Sequence, residues 1–378
     1  MKCVIGYVKT DVHDHILYKL HIEDLSNMAR SIGYEPVGVV IQTMPKENVS
    51  FLFGSGKVNE LKTKIREDGI EALILYNIMN SIQKLNLERM LNVKVLDRYD
   101  LTLEIFDQNA SDKISKLQIE LAKLLKFMPY EKLKASIRYF KNKPGPKSSG
   151  EYAYHKTIGQ LKRRINQLEN EIEHARIKRY MQLKQRRSLG LPIIALSGYY
   201  GAGKTTLFNN LTNLRRPALG KPFTTLSSKY YLCRTGGKRY LLIDTIGFAT
   251  GLDPRMIHSF RLTLDDIRLS DSIISVIDIS DQPIILKYRT QTVASILKEL
   301  SINMDKIVIA ANKIDLLDEQ IINERIEILK QIFNPAPIIP ISAQQKINIK
   351  QLIQTAINIS KKSVDEKQIE QTRMNTHY

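Results

Sequence analysis

The sequence has little of what secreted and membrane proteins depend on. Its 378 residues contain only two cysteines, Cys3 and Cys233, which lie far apart and without the spacing of a metal site. This scarcity excludes a disulfide framework and predicts a reducing compartment. There is also no run of about 18 apolar residues and no signal-peptide pattern, so we expect no membrane-spanning helix and a soluble, cytoplasmic protein.

Acidic residues are scarce relative to basic ones. The chain has 39 Asp and Glu against 57 Lys and Arg, a formal net charge of +18. Such an excess predicts a polyanionic partner, and charge that serves only solubility is the alternative. Between Lys113 and Arg187 there are 20 basic and 6 acidic residues. Because a solvated helix face normally interleaves both signs, this one-sided surplus favours contact with nucleic-acid phosphates.

A phosphate-binding motif lies where a predicted strand, Ile193 to Leu196, runs into a predicted helix. Gly198 to Thr205 fit G-x-x-x-x-G-K-[ST], whose backbone N–H groups surround nucleotide phosphates at the positive end of a helix dipole. Lys204 is predicted to reach the β- and γ-phosphates, and the Thr205 hydroxyl to bind Mg²⁺. The residues predicted to contact the nucleotide here are Gly198, Tyr199, Tyr200, Gly201, Ala202, Gly203, Lys204, Thr205 and Thr206.

Two further segments predict contacts around the γ-phosphate. After a strand at Arg239 to Ile243 comes D-x-x-G, in which Asp244 can hold Mg²⁺ through a water and the Gly247 N–H can sense the γ-phosphate. Upstream, Thr225 is predicted to close over Mg²⁺, with Thr224 as the alternative. The nucleotide-contacting residues of these segments are Phe223, Thr224, Thr225, Leu226, Asp244, Thr245, Ile246 and Gly247. The predicted catalytic residues are Lys204, Thr225 and Gly247, and the predicted Mg²⁺ ligands are Thr205, Thr225 and Asp244.

The base is predicted to be guanine. An apolar strand, Lys306 to Ala311, ends in N-K-x-D, formed by Asn312, Lys313, Ile314 and Asp315. The Asp315 carboxylate can accept both N1–H and the 2-amino group of guanine, a donor pair that adenine lacks. Lys313 can lie along the base plane, and Ser342 with Ala343, after a strand at Pro337 to Ile341, can supply a backbone N–H to O6. In this order the motifs predict a GTPase that binds GTP and GDP.

Hydrolysis is predicted to be slow. Many GTPases have a glutamine directly after D-x-x-G to orient the attacking water, and this chain has Phe248 there. Either a partner supplies a polar group, or the phenylalanine moves away and another residue acts. We expect a low intrinsic rate and stimulation by a partner.

The chain is predicted to be an α/β protein of three folded parts and a tail. Residues 1–108 alternate strands and helices, which predicts an α/β domain with a largely parallel sheet. Residues 109–188 predict a basic helical hairpin, an antiparallel coiled coil, and residues 189–360 predict a G domain with its nucleotide at the carboxyl ends of the strands. Residues 361–378 predict a frayed polar tail.

Within these parts the elements follow from apolar periodicity. The strands predicted in the first domain are Cys3–Val8, Pro36–Gln42, Ile70–Tyr76 and Val93–Leu96, and the helices lie near Glu23–Ser31, Val58–Glu67 and Ser81–Leu91. The hairpin seams predicted are Ile114, Leu117, Leu121, Leu124 and Met128, then Leu161, Ile165, Leu168, Ile172 and Ala175. The turn Phe53 to Lys57 is either a plain strand-to-helix turn or a phosphate contact.

The motifs together resemble the HflX-type GTPases, ribosome-associated members of the translation-factor-related G proteins. The resemblance covers nearly the whole chain and rests on segments of both halves: Gly54–Val58, Leu96–Tyr99, Leu103–Phe106, Lys116–Ala122, Phe223–Leu226, Asp244–Phe248 and Ser259–Asp266. It implies a Ras-like P-loop G domain joined to an N-terminal domain and a helical hairpin. It also implies binding to the large (50S) ribosomal subunit, contact with ribosomal RNA, and a role in rescuing or splitting ribosomes under stress.

One feature departs from the family. The glycine-rich connection with a G-P-G-E element between the hairpin helices is reduced here to Gly145–Glu151. Two other functions also stay open: a GTPase that assists ribosome assembly or RNA maturation, and a protein-recruiting regulatory switch. A steep salt dependence of binding would favour the RNA-binding functions over the protein switch. We expect a monomer.

Overall fold

The structure, a computed structural model, describes residues 1–11, 13–141, 149–188, 190–212, 214, 229–245 and 260–361. Their packing divides the chain into two units, one from Met1 to Ala175 and one containing the residues described from Arg176 onward. None of the helices in the described ranges is long and apolar enough to cross a membrane.

The first unit is built on a four-stranded parallel sheet, as predicted. Its strands are β1 (Lys2–Lys9), β2 (Glu35–Thr43), β3 (Ala72–Leu75) and β4 (Lys94–Asp97), in the order β2-β1-β3-β4. All three strand pairs are parallel. Because helices cover both faces of such a sheet, β1 and β3 are almost wholly apolar and buried.

Four helices connect and follow these strands. They are α1 (Leu17–Ser31), α2 (Ser55–Glu67), α3 (Ser81–Leu91) and α4 (Arg98–Asn109). The predicted helix at Ser81–Leu91 is confirmed at both ends, where Asn80 forms a capping box with Gln83 and Asn92 ends the helix with a φ of 55°. Helix α4 was not predicted, because Asp97 is both the last residue of β4 and the N-cap of α4, so no turn residues separate the two elements.

The turn before α2 has the geometry of a plain helix start. Gly54 is the N-cap with a φ of −65°, which any residue can adopt, and its N–H donates to the Gln42 side chain at 2.9 Å. Lys57 is paired with Glu60 at 2.7 Å. The structure therefore favours the strand-to-helix turn over the phosphate contact.

Two long helices follow, α5 (Lys113–Lys141) and α6 (Ser149–Ser188). Arg164 of α6 forms two parallel bonds of 2.7 Å with the Glu120 carboxylate of α5, which ties the helices together. The predicted seam of α6 is confirmed at its centre, where Ile165, Leu168 and Ile172 are buried, while Leu161 and Ala175 at its ends are half-buried. The predicted seam of α5 is only partly correct. The residues of α5 buried over this stretch are Ser115, Gln118, Ile119, Leu121 and Ala122.

The reason for this difference is that α5 also packs on α3 and α4. Lys126 of α5 pairs with Asp97, and with Asp100 at 2.8 Å, while the Tyr130 hydroxyl donates to Glu88 of α3. A helix that contacts two neighbours buries a wider face than the narrow seam of a coiled coil.

The second unit is built on a six-stranded sheet. Its strands are β5 (Ile193–Gly198), β6 (Lys229–Thr235), β7 (Lys238–Asp244), β8 (Ser272–Asp278), β9 (Ile307–Asn312) and β10 (Ile338–Ile341). The order is β10-β9-β8-β5-β7-β6, and only the pair of β6 with β7 is antiparallel. The strands predicted as β5, β7, β9 and β10 are confirmed within two residues. Strands β6 and β8 were not predicted individually.

The helices of the second unit are α7 (Lys204–Thr212), α8 (Arg261–Leu269), α9 (Pro283–Glu299), α10 (Glu319–Phe333) and α11, residues 349–361. The core on one side of the sheet joins Leu207 and Phe208 of α7 to Leu352 and Ile353 of α11. Because β5 and α7 are anchored in this core, the short loop between them is held from both ends.

Candidate nucleotide-binding site

The carboxyl ends of five parallel strands meet at one edge of the second sheet. Gly198 ends β5, Asp244 ends β7, Asp278 ends β8 and Asn312 ends β9, while Ser342 directly follows β10. In open α/β sheets this edge is where ligands bind. The structure therefore brings together the described residues of all the nucleotide motifs.

Two glycines of the loop from Gly198 to Thr205 are required by their surroundings. Gly198 has a φ of +131°, and a Cβ there would lie 2.1 Å from the carbonyl oxygen of Val276 on β8. Gly203 has a φ of +95°, and a Cβ there would lie 2.2 Å from Nδ2 of Asn312. Side chains are strained at such φ values and would also clash with well-packed neighbours.

Asn312 connects the phosphate loop to the loop after β10. It is 2% exposed, its Nδ2 donates to the Ala202 carbonyl at 2.8 Å, and its Oδ1 accepts from the Ala343 N–H at 2.9 Å. Asn210 of α7 donates from its side chain to the Ala343 carbonyl on the same loop. The positions of the phosphate loop and of the loop after β10 are thus fixed relative to each other by buried hydrogen bonds.

Lys204 begins α7 and points back along the loop. Its Nζ donates to the carbonyls of Gly198 at 2.9 Å and Tyr199 at 2.7 Å. Burial lowers the pKa of Lys204 to about 8, and the Asp244 carboxylate acts in the opposite direction. The ammonium therefore lies among backbone groups within the electrostatic reach of Asp244, where a polyanion would favour its charged form.

The described part of D-x-x-G lies beside this lysine. Asp244 is 6% exposed and Thr245 is 1% exposed, and the Thr245 hydroxyl donates to the Leu196 carbonyl of β5. Thr205 and Thr206 are half-buried in the first turn of α7. A carboxylate and a hydroxyl are hard oxygen donors of the kind that Mg²⁺ prefers.

The base-reading motif forms a short turn after β9. Lys313 has a φ of 73° and pairs with the Asp278 carboxylate. Asp315 is half-buried in a short 3₁₀ turn, Ile314–Leu316. The backbone N–H for guanine O6 was predicted to come from Ser342 or Ala343. In this structure the Ala343 N–H donates to Asn312, so a bond from it to O6 requires that this N–H be shared.

The comparisons with known proteins agree with this arrangement. Residues 19–107 match the family described as GTP-binding GTPase N-terminal, and residues 193–313 match the family described as 50S ribosome-binding GTPase. GTPase HflX of Saccharolobus solfataricus is 33% identical over 318 residues, which cover 82% of this chain and 88% of that protein. GTPase HflX of Thermofilum pendens is 32% identical over 338 residues, covering 89% and 79%.

The chain belongs to the HflX family of GTPases.

A solved structure, the complex of SsGBP with GDP, is similar over 96% of this chain and 99% of that protein, with 27% identity and a TM-score of 0.53. The predicted fold class and the predicted resemblance to HflX proteins are both confirmed. The enzyme class, GTPase, is confirmed as well.

Some predicted site residues of this HflX-family chain lie outside the described residues. They are Phe223, Thr224, Thr225 and Leu226, and also Ile246, Gly247 and Phe248. Their predicted roles stay predictions.

The sequence reasoning missed three charged residues near the phosphate loop. The Arg289 guanidinium of α9 lies 4.9 Å from the Tyr199 ring centre, and it pairs with Asp281 at 2.8 Å. Tyr199 and Tyr200 stack with ring centres 4.9 Å apart. These residues, with Asp278, line a small cavity, and burial raises the pKa of Asp281. Asp278 could have been predicted, because it ends an apolar run rich in β-branched residues, Ser272 to Asp278, which is the pattern of a buried strand.

Proposed function

We propose that this HflX-family protein binds GTP, hydrolyses it slowly on its own, and associates with the large (50S) ribosomal subunit in ribosome rescue or splitting under stress. The observation that carries the proposal is the loop held between β5, α7 and Asn312. Family membership adds the ribosomal part, since one of the two matched families is described as ribosome-binding.

The phosphates belong in the loop from Gly198 to Thr206. Its backbone N–H groups and the start of α7 provide a positive electrostatic potential, and Lys204 supplies a full charge. The two carbonyl bonds of Lys204 are replaced by bonds to the β- and γ-phosphates when the nucleotide binds. Thr225 and Gly247 complete the γ-phosphate contacts in this proposal.

The proposed Mg²⁺ ligands are Thr205, Asp244 through a water, and Thr225. Among the described residues, Thr205 and Asp244 fit this ion because they offer a hydroxyl and a carboxylate, and Asp244 acts electrostatically on Lys204, the neighbour of Thr205. When bound, Mg²⁺ would neutralise charge on the β- and γ-phosphate oxygens.

The guanine base belongs beside Asp315 and Lys313. The Asp315 carboxylate accepts N1–H and the 2-amino group, and Lys313 lies along the base after leaving Asp278. Asn312 accepts a hydrogen bond from the Ala343 N–H and so fixes the loop after β10, from which Ser342 or Ala343 donates to O6. A base without two adjacent donors leaves the carboxylate unpaired, which costs several kcal/mol.

The ribosomal partner is supported by the unequal use of basic side chains on α6. Arg164, Arg176 and Arg179 are paired with carboxylates of the same protein. By contrast, Lys162, Arg163 and Lys184 are exposed. These three side chains are available for ribosomal RNA phosphates, and the first domain together with the hairpin forms the proposed ribosome-binding part, residues 1–188.

Sedimentation with purified 50S subunits tests the proposal. We expect the protein to pellet with subunits in a non-hydrolysable GTP analogue and much less in GDP, with binding that weakens steeply as salt rises. Subunits should also raise the rate of GTP hydrolysis. Pelleting only with precursor particles would favour the alternative of an assembly factor. Equal pelleting in both nucleotides, or a shallow salt slope, would contradict the proposal.

A further inference from the structure

The last turns of α6, from Arg176 onward, belong to the second unit, where they form two ion pairs with buried carboxylates. Arg176 Nε lies 2.5 Å from Oδ2 of Asp265, and Arg179 Nη1 lies 3.4 Å from Oδ2 of Asp266. The side chain of Asp266 is only 1% exposed and that of Asp265 is 8% exposed. Both carboxylates belong to α8. None of these four residues occurs in a nucleotide motif, so the site described above does not account for them.

A tyrosine extends the same contact to a strand. The Tyr230 hydroxyl of β6 donates to Oδ1 of Asp266 at 2.7 Å. The guanidinium carbon of Arg186 lies 4.5 Å from the centre of the Tyr230 ring, and that of Arg179 lies 5.8 Å from it. Burial, followed by the charge of Asp266, raises the pKa of Tyr230, so the hydroxyl stays a donor at all physiological pH values. Asp266 of α8 thus forms an ion pair with Arg179 of α6 and accepts a hydrogen bond from Tyr230 of β6.

The positions of α8 and β6 along the chain relate this contact to the predicted γ-phosphate segments. Helix α8 begins at Arg261, fourteen residues after Gly247, and β6 begins at Lys229, four residues after Thr225. Gly247 and Thr225 are the two residues proposed to bind the γ-phosphate and its Mg²⁺. Along the chain, each of the segments that carry them is therefore followed by an element that contacts α6.

We propose that Asp265 and Asp266 are positioning residues for the GTPase reaction, which tie α6 to the two elements that follow the γ-phosphate contacts. Binding of the γ-phosphate then changes the contacts that α8 and β6 make with Arg176 and Arg179. By linkage, any partner that displaces α6 changes the relative affinity for GTP and GDP by the same factor. The inference deepens the proposed function, because α6 also carries the exposed residues Lys162 and Arg163.

The burial of the carboxylates suits them to this coupling. A carboxylate removed from water depends on its cation, and removing one partner of such a pair is far more disruptive than removing an exposed pair. The shared aspartate also couples α8 and β6 to α6, so a shift of either element alters the contact with Arg179. Buried charges can pair in only a few ways, so these side chains can switch between discrete arrangements, as coupling between two sites requires.

Hydrogen exchange of the purified full chain tests the proposal without ribosomes. Residues 176–188 should exchange at different rates in GDP and in a non-hydrolysable GTP analogue. In the double variant Arg176→Ala, Arg179→Ala this difference should disappear. The ratio of the two dissociation constants should change by roughly fivefold or more, the lower limit of typical coupling. Lys178→Ala is the matched control, because it removes an exposed charge from the same helical turn and should leave both quantities unchanged.

Conservative changes separate positioning from plain stability. Arg176→Lys with Arg179→Lys keeps the charges and should restore part of the nucleotide-dependent difference. If the double alanine variant does not bind GDP, Tyr230→Phe decides, since it removes only the hydroxyl bond to Asp266 and should reduce the difference. A wild-type protein with equal exchange in both nucleotides would overturn the proposal, and so would variants that keep the wild-type difference and ratio. Failure of the proposed function would show elsewhere, as absent GTP binding or absent pelleting with 50S subunits.

Discussion

The Asn312 side chain occupies the space that a side chain at Gly203 would need. A Cβ on Gly203 would lie 2.2 Å from Nδ2 of Asn312. That amide cannot move aside cheaply, because it is buried and bonded to Ala202 on one side and to Ala343 on the other. One asparagine therefore sets the conformation of the phosphate loop and of the loop proposed to contact guanine.

Asn312→Ala should weaken both GTP and GDP binding strongly. The change leaves the Ala202 carbonyl and the Ala343 N–H buried without this partner, at a cost of about 1–3 kcal/mol each. We expect affinity to fall by roughly 100-fold when measured by titration calorimetry. Gly203→Ala should have an effect at least as large, because it adds a clash to a φ of +95°.

Asn323→Ala, on the exposed side of α10, is the matched control and should bind GDP like the wild type. If Asn312→Ala binds GDP normally, the two hydrogen bonds do not position the loops.

Asp315→Asn should change the preferred base. An amide presents one acceptor and one donor, so it cannot accept both guanine donors but can match xanthine, which has a carbonyl at the 2-position. We expect GDP affinity to fall by about 2–4 kcal/mol and XDP affinity to rise, measured by competition with a fluorescent nucleotide. Asp318→Asn, the exposed N-cap of α10, removes the same charge three residues away and should change neither affinity. Unaltered GDP affinity in Asp315→Asn would mean that this carboxylate does not read the base.

Nucleotide affinity should fall as the pH rises past about 8, the value to which burial lowers the pKa of Lys204. Bound phosphates favour the charged ammonium and so raise this pKa in the complex. Below the pKa of the free protein the lysine is already charged, and affinity is constant. Above it, each bound nucleotide must also bind a proton, so the dissociation constant for GDP rises by up to about tenfold per pH unit.

Calorimetry at pH 8.5 in two buffers of different ionisation enthalpy should detect this proton uptake. Lys204→Arg stays charged throughout, and its weaker binding should lack the added pH dependence. The same pH slope in both proteins would assign it to another group, such as the base itself.

Sequence patterns predicted the sheets and the edge where the candidate site lies. Buried parallel strands are continuous apolar runs, and their carboxyl ends meet at one edge. Sequence patterns did not predict the contacts of Asn312 and Arg289. Asn312 matched a motif for the base, but its bonds join residues more than 30 positions apart in the chain, which no local pattern contains. Arg289 looks like any exposed-face arginine of an amphipathic helix until α9 is placed against Tyr199.

The buried face of α5 shows the same limit. Periodicity correctly predicted a helix, but the side that becomes buried depends on α3 and α4, and no spacing rule shows where those helices lie. The predicted domain boundaries at residues 108, 188 and 360 and the individual site roles stay predictions.

Lys126→Met should destabilise the first unit severely. Lys126 is 9% exposed and pairs with Asp97 and Asp100, whose side chains are 0% and 2% exposed. Lys84 still pairs with Asp100 at 2.8 Å in the variant, but Asp97 loses this cation. We expect the free energy of unfolding to fall by about 3–5 kcal/mol, read from hydrogen exchange of the β1–β4 amides in urea.

Lys123→Met is the control, because it removes a lysine one turn away on the same helix. Its pair with Asp107 is solvent-exposed, at 35% and 53%, and should contribute no more than about 1 kcal/mol. Equal losses of unfolding free energy in the two variants would show that the buried cluster stabilises the first unit no more than the exposed pair does.

Reversal of the exposed charges Lys162→Glu and Arg163→Glu should weaken binding to 50S subunits and flatten its salt dependence. Each lost phosphate contact removes roughly one unit from the slope of log K against log salt, so the pair should remove about two. Arg164 is left intact, because its two bonds of 2.7 Å to Glu120 join α5 to α6, and its loss would confuse an RNA contact with a folding defect. GDP affinity and basal hydrolysis should stay at wild-type values, since neither residue lies in a nucleotide motif.

Stimulation of hydrolysis by 50S subunits should fall in proportion to binding, because Phe248 cannot orient water and we propose that the site depends on its partner. The control reverses Lys298, a lysine in the last turn of α9, to glutamate, and should keep the wild-type salt slope. If Lys162→Glu, Arg163→Glu also keeps that slope, the exposed basic face of α6 is a solvated surface, and ribosomal RNA contacts must be sought on the first domain.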